Sequence, residues 1–243
     1  GRILVTDSGG ETWLPVRSGT SERLNSVAFT TEKFGVAVGE NGTILRTGNG
    51  GASWAALAPV TDKDLFSVTF VDLLHGWAAG ATGTILQTTD GGVTWQVQAT
   101  GTMAWLEDIQ FMDTQHGVAV GSNGTILRTE DGGEHWQAIN INLTSSLYSV
   151  AFADGARGYA VGAAGVILRT DDGGVTWHDQ ESAINANLFS VAVADRDDVL
   201  VSGDQGRILR TKDGGDSWTV QPTITSAPLY SVAYHGGTDA WAA

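Results

Sequence analysis

The sequence predicts an all-β fold built from one repeated antiparallel unit, and three observations support this. The pattern of a thirteen-residue segment, GTILQTTDGGVTW at 83–95, occurs six times in the 243 residues with a constant step of 41. Its first half is β-branched and apolar, which suits a buried strand. Its second half has the Asp-Gly-Gly composition of a tight turn. The six copies begin at Gly1, Gly42, Gly83, Gly124, Gly165 and Gly206.

Each 41-residue unit predicts four short strands. In the unit 65–98 we place them at Leu65–Phe70, His75–Gly80, Gly83–Thr88 and Thr94–Gln98. Four antiparallel strands in roughly 40 residues are typical of one blade of a β-propeller. The sequence therefore predicts a six-bladed β-propeller of four-stranded antiparallel blades.

The two ends of the chain each contain half a blade. Residues 1–17 hold the third and fourth strands only, and residues 229–243 hold the first and second. We expect a single domain, 1–243, whose sixth blade joins both segments, because closure removes the open edge of a linear stack. The alternative is a piece of a longer propeller, for example one of seven blades. The expected blades are 24–57, 65–98, 106–139, 147–180, 188–221, and 229–243 plus 1–17.

The turn of each repeat has a fixed chemistry. A Thr ends the third strand, and a residue with a short side-chain acceptor follows two positions later. Such an acceptor can bond backbone N–H groups further along the turn, and the two glycines permit left-handed backbone angles. We assign these residues a structural role. The acceptors are Ser8, Asn49, Asp90, Asp131, Asp172 and Asp213, and the tryptophans that close the motif are Trp13, Trp54, Trp95, Trp136, Trp177 and Trp218.

The pattern S/T-x-D-x-G-x-T/S-W formed by these residues resembles the Asp-box, or BNR, repeat of sialidases and many unrelated β-propellers. The fuller form G-T-I-L-R-T-x-D-G-G-x-T-W, with L-x-S-V-x-F upstream, is similar to the photosystem II stability/assembly factor family and its non-photosynthetic bacterial relatives. The resemblance extends over all six repeats. It implies an exported accessory protein of a membrane complex, located in the periplasm, the thylakoid lumen or outside the cell. The chain opens inside a repeat, so a preceding leader would not be visible here.

Composition narrows the classes of partner. The formal net charge is −14, with 27 acidic and 13 basic residues, which disfavours nucleic acid and anionic lipid as partners. No cysteine is present, and no apolar run approaches the roughly 20 residues of a membrane span. The five histidines lack the spacing of metal ligands. We therefore expect no cofactor, no metal and no direct membrane insertion.

The position that opens the innermost strand is the most informative for binding. In a propeller this strand lines the central channel, and its first residues face the side where ligands commonly bind. The third repeat is unusual, because Glu107 and Asp108 occupy positions that read aromatic or polar and then Ser elsewhere. Adjacent carboxylates on a strand point to opposite sides, so they do not form an acid–base pair. We predict a binding site at the channel mouth, with packing between blades as an equal alternative. Its residues are Asn25, Phe66, Trp105, Glu107, Asp108, Tyr148, Phe189 and Tyr230.

Two further sets of equivalent positions in the repeats predict structural roles. We call each such set a column. A bulky apolar position in the second strand indicates core between blades. Arginines that follow Ile-Leu in the third strand lie about 10 Å from the axis on different blades, so we expect each to pair with an acidic or aromatic neighbour. The apolar column is Val36, Trp77, Val118, Tyr159, Leu200 and Trp241, and the arginines are Arg46, Arg128, Arg169 and Arg210.

Three functions are compatible with this pattern. The favoured one is a non-catalytic binding or scaffold propeller whose partner is a protein, in particular a membrane complex of photosystem or envelope-transporter type. A lectin-like propeller that binds glycans is the alternative, because repeated aromatic rings suit stacking on sugars. A sialidase-like glycosidase is the least favoured, since that class needs an arginine cluster near the axis with a Tyr/Glu pair and an acid. We assign no catalytic residue.

Overall fold

The computed structural model describes residues 1–235 and 239–243. Regular structure in these residues consists of short β-strands and single 3-10 turns. The strands are β1 (Arg2–Val5), β2 (Leu14–Arg17), β3 (Leu24–Phe29), β4 (Gly35–Gly39), β5 (Ile44–Thr47), β6 (Ala55–Ala56), β7 (Leu65–Phe70), β8 (Gly76–Gly80), β9 (Ile85–Thr88), β10 (Gln96–Gln98), β11 (Leu106–Phe111), β12 (Gly117–Gly121), β13 (Ile126–Thr129), β14 (Gln137–Ala138), β15 (Leu147–Phe152), β16 (Gly158–Gly162), β17 (Ile167–Thr170), β18 (His178–Gln180), β19 (Leu188–Val193), β20 (Val199–Gly203), β21 (Ile208–Thr211), β22 (Thr219–Gln221), β23 (Val232–His235) and β24 (Asp239–Ala242).

The chain divides into two compact units, Gly1–Thr114 and Gln115–Ala243. The first contains the hairpin β1–β2, the four-stranded sheets β3–β6 and β7–β10, and strand β11, which packs against β7 and β8. The second contains the paired strands β12–β14, the four-stranded sheets β15–β18 and β19–β22, and the hairpin β23–β24.

Every pairing in these sheets is antiparallel and joins consecutive strands, so the predicted all-β fold of four-stranded antiparallel blades is confirmed. A single domain over 1–243 stays a prediction, as does a sixth blade made from 229–243 plus 1–17. Residues 236–238 of that blade lie outside the described part of the chain. No helix with the length and apolarity to cross a bilayer is found among the described residues.

The observed strands begin slightly later than the sequence pattern indicates. In the repeat 65–98 the first strand is as predicted, whereas the second and third begin at Gly76 and Ile85. A 3-10 turn at Ala81–Gly83 occupies the start of the predicted third strand. The same turn follows the second strand at Glu40–Gly42, Ser122–Gly124, Ala163–Gly165 and Asp204–Gly206.

This turn explains the glycine that ends each second strand. A Cβ on Gly80 would collide with the carbonyl oxygen of Asp64, and one on Gly39 would collide with that of Arg23. The central residue of the turn lies in the left-handed region, where a residue with a Cβ is unfavourable. These residues are Asn41, Thr82, Asn123, Ala164 and Gln205, with φ from 53° to 58°.

Successive repeats share one core. In the first unit, Val36, Val38 and Ile44 pack against apolar side chains of the following repeat, among them Val68 and Trp95. In the second unit, Val118, Val120 and Ile126 make the equivalent cluster with Leu147, Val150, Ala160, Leu168 and Trp177. The predicted inter-blade column is confirmed for its first five members, which are all buried. The prediction is wrong for the sixth, Trp241, whose side chain is largely exposed.

The repeats differ in one pair of residues that face each other across the first and second strands. Phe70 pairs with Gly76 across β7 and β8, and a Cβ on Gly76 would meet the Phe70 ring. Phe152 and Gly158 repeat this arrangement in the second unit. In β19–β20 the pair is Val193 and Val199. In this pair the second strand carries a valine side chain opposite a valine instead of a glycine opposite a ring.

Candidate binding surface

The Asp-box turn is a closed hydrogen-bond network. The hydroxyl of Thr88 donates to Asp90 Oδ1 at 2.8 Å and accepts from the Gly92 N–H at 2.9 Å. Asp90 in turn accepts from the backbone N–H of Thr94 at 2.9 Å and from its hydroxyl at 2.6 Å. Each carboxylate oxygen thus has a partner inside its own turn, which gives the motif a structural role.

The carboxylates of these turns are held in the charged form. Hydrogen bonds from the hydroxyl of Ser217 and then Thr211 lower the pKa of Asp213 to about 2. In the first hairpin a serine replaces the aspartate, and Ser8 Oγ still accepts the Thr12 N–H at 3.0 Å. The turn therefore forms without a carboxylate at the acceptor position, and that position then has no titratable group.

In the first unit, the predicted mouth residues form an aromatic contact. The rings of Phe66 and Trp105 lie 5.8 Å apart at an angle of 44°. Trp105 is largely exposed, whereas Phe66 is half-buried. Asn25, at the same strand position as Phe66, donates through Nδ2 to the Leu65 carbonyl at 2.8 Å. The opening of the inner strand thus joins neighbouring repeats and also presents an indole to solvent.

The two carboxylates of the third repeat have different surroundings. Asp108 Oδ1 accepts from the Ser67 hydroxyl at 2.7 Å and from the Ile109 N–H at 2.9 Å. In the preceding repeat, Ser26 Oγ accepts the equivalent N–H of Val68 at 3.2 Å. Asp108 is thus part of the hydrogen bonding that joins neighbouring repeats.

Glu107 is half-buried, as is Asp108. Burial raises the pKa of Glu107 above its usual value, and the charge of Asp108 raises it further. A positive group placed beside Glu107 would stabilise its charged form and so oppose the effects of burial and of the Asp108 charge.

In the second unit, three predicted aromatic residues form a row. Ring centroids are 5.8 Å apart between Tyr148 and Phe189 and 5.0 Å apart between Phe189 and Tyr230. The rings are tilted by 44° and 31°, and Tyr230 is largely exposed. Because the three residues open the inner strand of successive repeats, the 41-residue period produces the row.

The arginine column pairs with its surroundings, as predicted. Arg210 binds Asp198 through Nε at 2.7 Å and Nη2 at 2.5 Å, and Arg169 binds Asp216 at 2.8 Å. The guanidinium of Arg46 lies over the Phe34 ring, 5.5 Å from its centroid. None of these contacts brings arginines together on one anion.

The sequence did not reveal a second function of these arginines. Arg46 Nε donates to the carbonyl of Gly91, in the Asp-box of the next repeat, at 3.0 Å. Arg128 bonds Gly173 at 2.7 Å and Arg169 bonds Gly214 at 2.8 Å in the same way. We call these three bonds the arginine clasps. Their only sequence signal is the constant offset of 45 residues.

Within the part of the chain that the structure describes, one group of side chains has ligand atoms close enough to hold a metal ion. Asp131, Glu134 and His135 bring one atom each within 4.8 Å of the others. His135 Nδ1 already lies 2.7 Å from Asp131 Oδ2, and the imidazole is largely exposed. Hydrogen bonds from the backbone and then the ring of His135 lower the pKa of Asp131 to about 2. This contact reproduces the Thr–Asp bond of the other turns and accounts for the arrangement without a metal.

Antiparallel four-stranded blades that recur every 41 residues, each with an Asp-box turn, define the class of Asp-box β-propellers. The family model of the photosynthesis system II assembly factor YCF48 matches residues 98–146 and 134–237. These matches together span more than half of the chain. The chain therefore belongs to the YCF48 assembly-factor family. No curated protein matches the sequence significantly.

Solved structures share the fold. YCF48 bound to a D1 peptide is 20% identical, with a TM-score of 0.52 and coverage of 93% of this chain and 92% of that one. YCF48 from Cyanidioschyzon merolae is 19% identical, with a TM-score of 0.58 and coverage of 93% and 94%. The GH74 enzyme of Niastella koreensis is 15% identical, with a TM-score of 0.74 over 93% of this chain and 45% of the enzyme. At these identities the likeness shows the fold alone, because one fold carries many functions.

Proposed function

We propose that this chain is a non-catalytic propeller that assists the assembly of a membrane protein complex by binding an extended segment of one of its subunits. The observation that carries the proposal is the row of aromatic rings Tyr148, Phe189 and Tyr230. Membership of an assembly-factor family supports the general role. The relative bound to a D1 peptide shows that a protein of this fold accommodates a peptide.

The spacing of the row suits an extended peptide. Alternate side chains of a strand lie about 6.6 Å apart, at roughly 3.3 Å per residue. The ring centroids of the row are 5.0 and 5.8 Å apart, so successive rings can contact side chains i and i+2 of one segment. Tilted rings offer both faces and edges to apolar or aromatic side chains. The row therefore favours a segment with apolar residues at every second position.

The net charge of this chain indicates which of these peptide segments it would bind. The chain carries a formal charge of −14, which favours a basic or neutral partner over an acidic one. In the first unit, Glu107 has a raised pKa and lies on a strand that packs against the strand of Phe66. A lysine or arginine of the partner would pair with this carboxylate in its charged form.

Catalysis is not supported by the same residues. Asp108 is engaged in hydrogen bonds between repeats. The arginines are paired on separate strands, whereas a sialidase-like site needs them clustered beside a Tyr/Glu pair and an acid. These contacts support a binding role over a catalytic one.

The family resemblance supports a proposal for the location and the complex. We propose that the protein acts in the periplasm, the thylakoid lumen or outside the cell, next to a complex of photosystem or envelope-transporter type. A lumenal or periplasmic site gives access to the exposed segments of membrane subunits.

A crosslinking pulldown from native membranes tests this function. A photo-crosslinking residue replaces Tyr230, which is exposed, and the captured proteins are identified by mass spectrometry. We expect one membrane complex to be enriched, and Phe189→Ala to reduce its recovery at least tenfold, because the central ring of the row is lost. Val220→Ser, at an exposed apolar position of the outermost strand β22, is the matched control and should leave recovery unchanged.

Two outcomes would overturn the proposal. Recovery of no membrane protein would remove the assembly role. Recovery of glycoconjugates alone, with binding to a glycan array that Phe189→Ala abolishes, would assign the same rings to a lectin. Turnover of a fluorogenic sialoside by the purified protein would contradict the non-catalytic interpretation.

A further inference from the structure

Two aromatic rings and a carboxylate meet where strands β7 and β11 of the first unit begin. The hydroxyl of Ser67 on β7 donates to Asp108 on β11 at 2.7 Å, so the openings of the two strands lie side by side. Phe66 and Glu107, the residues just before them, occupy equivalent positions of these neighbouring strands. In the second unit, the same position of neighbouring strands carries rings whose centroids are 5.0 to 5.8 Å apart. The ring of Trp105 completes the group, 5.8 Å from that of Phe66.

Trp105 replaces a residue that has a structural role in two other repeats. Asp64 Oδ1 accepts the N–H of Asn41, in the 3-10 turn of the preceding repeat, at 2.9 Å. Asn187 Oδ1 accepts the equivalent N–H of Ala164 at 3.3 Å. An indole has a donor but no oxygen acceptor, so Trp105 cannot make this bond. Its side chain is 54% exposed, and the repeat therefore presents an aromatic face to solvent where others support a turn.

The Glu107 carboxylate is half-buried and accepts no hydrogen bond from the described residues. Burial raises its pKa, and the charge of Asp108 raises it further. Within the first unit, β11 packs against β7, β8 and the turn Ala81–Gly83, and these three elements carry no charged side chain. The described part of this unit thus provides neither a donor nor a counter-ion for Glu107, and a cation from outside would supply both.

Among the cationic side chains of proteins, arginine matches this group best. A guanidinium is planar and stacks on an aromatic face, and its fork of N–H donors fits a carboxylate. A lysine ammonium is a compact point charge without a flat face to stack. The formal net charge of −14 adds a long-range attraction for any cationic partner.

We propose that Phe66, Trp105 and Glu107 form a binding site for one arginine side chain of a protein partner. The guanidinium stacks on the Trp105 indole and donates hydrogen bonds to the Glu107 carboxylate. The inference rests on the proposed function for the source of the arginine, which is the segment that this chain binds. It goes beyond that function by naming the side chain that the first unit selects.

Titration of the purified protein with N-acetyl-argininamide tests the site without any protein partner. The indole N–H signals of isotopically labelled protein are followed by NMR, and the signal of Trp105 is identified by its loss in Trp105→Phe. We expect N-acetyl-argininamide to shift this signal to saturation and N-acetyl-lysinamide to bind more weakly. The uncharged citrulline analogue should leave the signal unchanged.

Two variants that remove the same charge separate the site from the general field of the protein. Glu107→Gln should weaken binding of N-acetyl-argininamide by at least about fivefold, because its charge-assisted hydrogen bonds are lost. Glu32→Gln, at an exposed position of the turn between β3 and β4, is the matched control and should leave the affinity unchanged. Thermal unfolding checks the fold, and Glu107→Gln should not lower Tm, since it removes a carboxylate that accepts no hydrogen bond from the described residues.

The pH dependence of binding is a second readout. Glu107 binds the guanidinium in its charged form, so the affinity should fall as the pH is lowered through the raised pKa of this carboxyl. Glu107→Gln should remove most of this dependence. Asp108, the charged neighbour, is present in both proteins and does not account for a difference between them.

Three results would overturn the proposal: no shift of the Trp105 signal, equal binding of the arginine, lysine and citrulline amides, or equal affinities of Glu107→Gln and Glu32→Gln. The test is separate from that of the proposed function. A saturable shift with no membrane complex in the pulldown would leave the arginine site in place and remove the assembly role. A recovered complex with no shift would support the assembly role and remove the arginine site.

Discussion

The hairpins β1–β2 and β9–β10 carry the same motif in different surroundings. Ser8 and Asp90 bond the same backbone N–H of their turns, at 3.0 and 2.9 Å. Yet Trp13 is 56% exposed where Trp95 is 6% exposed, and Leu4 is 54% exposed where Leu86 is fully buried. The turn is thus determined locally, whereas burial of its Trp and Leu depends on the first and second strands of a blade.

This comparison separates two sources of stability. Hydrogen bonds inside the turn are present with or without neighbouring strands. Burial of a Leu or Phe side chain contributes about 1.5–3 kcal/mol, and only a complete blade with a preceding repeat supplies it. Changes in apolar contacts should therefore affect the two hairpins very differently, and changes in the turn should affect them similarly.

The largest expected contrast is between the two leucines. Leu86→Ala should lower the free energy of unfolding by about 2–5 kcal/mol, because it leaves a cavity in a packed core. Leu4→Ala should lower it by less than about 1 kcal/mol while the side chain remains exposed. Chemical denaturation followed by tryptophan fluorescence measures both values. Similar losses at the two positions would contradict this contrast, because they would show that Leu4 is as buried in solution as Leu86.

The next contrast concerns strand β8, which pairs with the hairpin β9–β10. In the described sheets, the hairpin β1–β2 has no such neighbouring strand. Gly76→Val should destabilise the protein by about 1–3 kcal/mol, since the new side chain meets the Phe70 ring. Phe70→Val combined with Gly76→Val copies the Val193–Val199 pair and should recover part of that loss. A double-mutant cycle in urea measures the coupling. Additive effects of the two substitutions would contradict the packing explanation.

A smaller contrast between the two turns concerns how stability depends on pH. The pKa of Asp213 is lowered to about 2 by Ser217 and Thr211, against about 3.9 in an unfolded chain. A lowered folded pKa means that its stabilisation is present above pH 4 and is lost as the pH falls towards 2. Asp213→Ser copies the turn of β1–β2 and should make stability less dependent on pH in this window. Thermal unfolding between pH 2 and 5 provides the readout, and an unchanged pH profile would contradict the assignment.

The smallest predicted effect lies in the turn before β9. Thr82 adopts φ 53°, a left-handed value that is costly for a β-branched residue. Thr82→Asn copies Asn41 and Asn123 and should raise the free energy of unfolding by about 0.5–1 kcal/mol. Urea denaturation detects a gain of this size. A loss would indicate that the bond from the Thr82 hydroxyl to the Ala81 carbonyl is worth more than the relief of strain.

The period and strand pattern were sufficient to predict the blades, because local propensity and the 41-residue repeat agree. Three features were not predictable in this way. The 3-10 turn at Ala81–Gly83 shortens the third strand, since a left-handed residue there is not required to be glycine. The exposure of Trp241 depends on which strands surround it. The arginine clasps end on a backbone carbonyl, which has no side-chain signature.

The positions of the candidate-site residues could be predicted from the sequence, but the roles of these residues could be predicted only in part. The rings of Tyr148, Phe189 and Tyr230 lie next to one another because they share a column. Asp108 looked like a functional deviation, yet it accepts bonds from Ser67 and Ile109. A sequence shows that a residue differs from its counterparts in other repeats. Only the structure shows which hydrogen bonds the different side chain makes.

The arginine clasps have a consequence for how such chains grow. Each clasp joins an arginine to a glycine carbonyl of the following repeat, and every repeat that contains both groups can serve as donor on one side and acceptor on the other. When a gene segment encoding one repeat is duplicated, the copy arrives with both halves of its connection. Propellers with different blade numbers can then descend from one another without a new interface having to evolve.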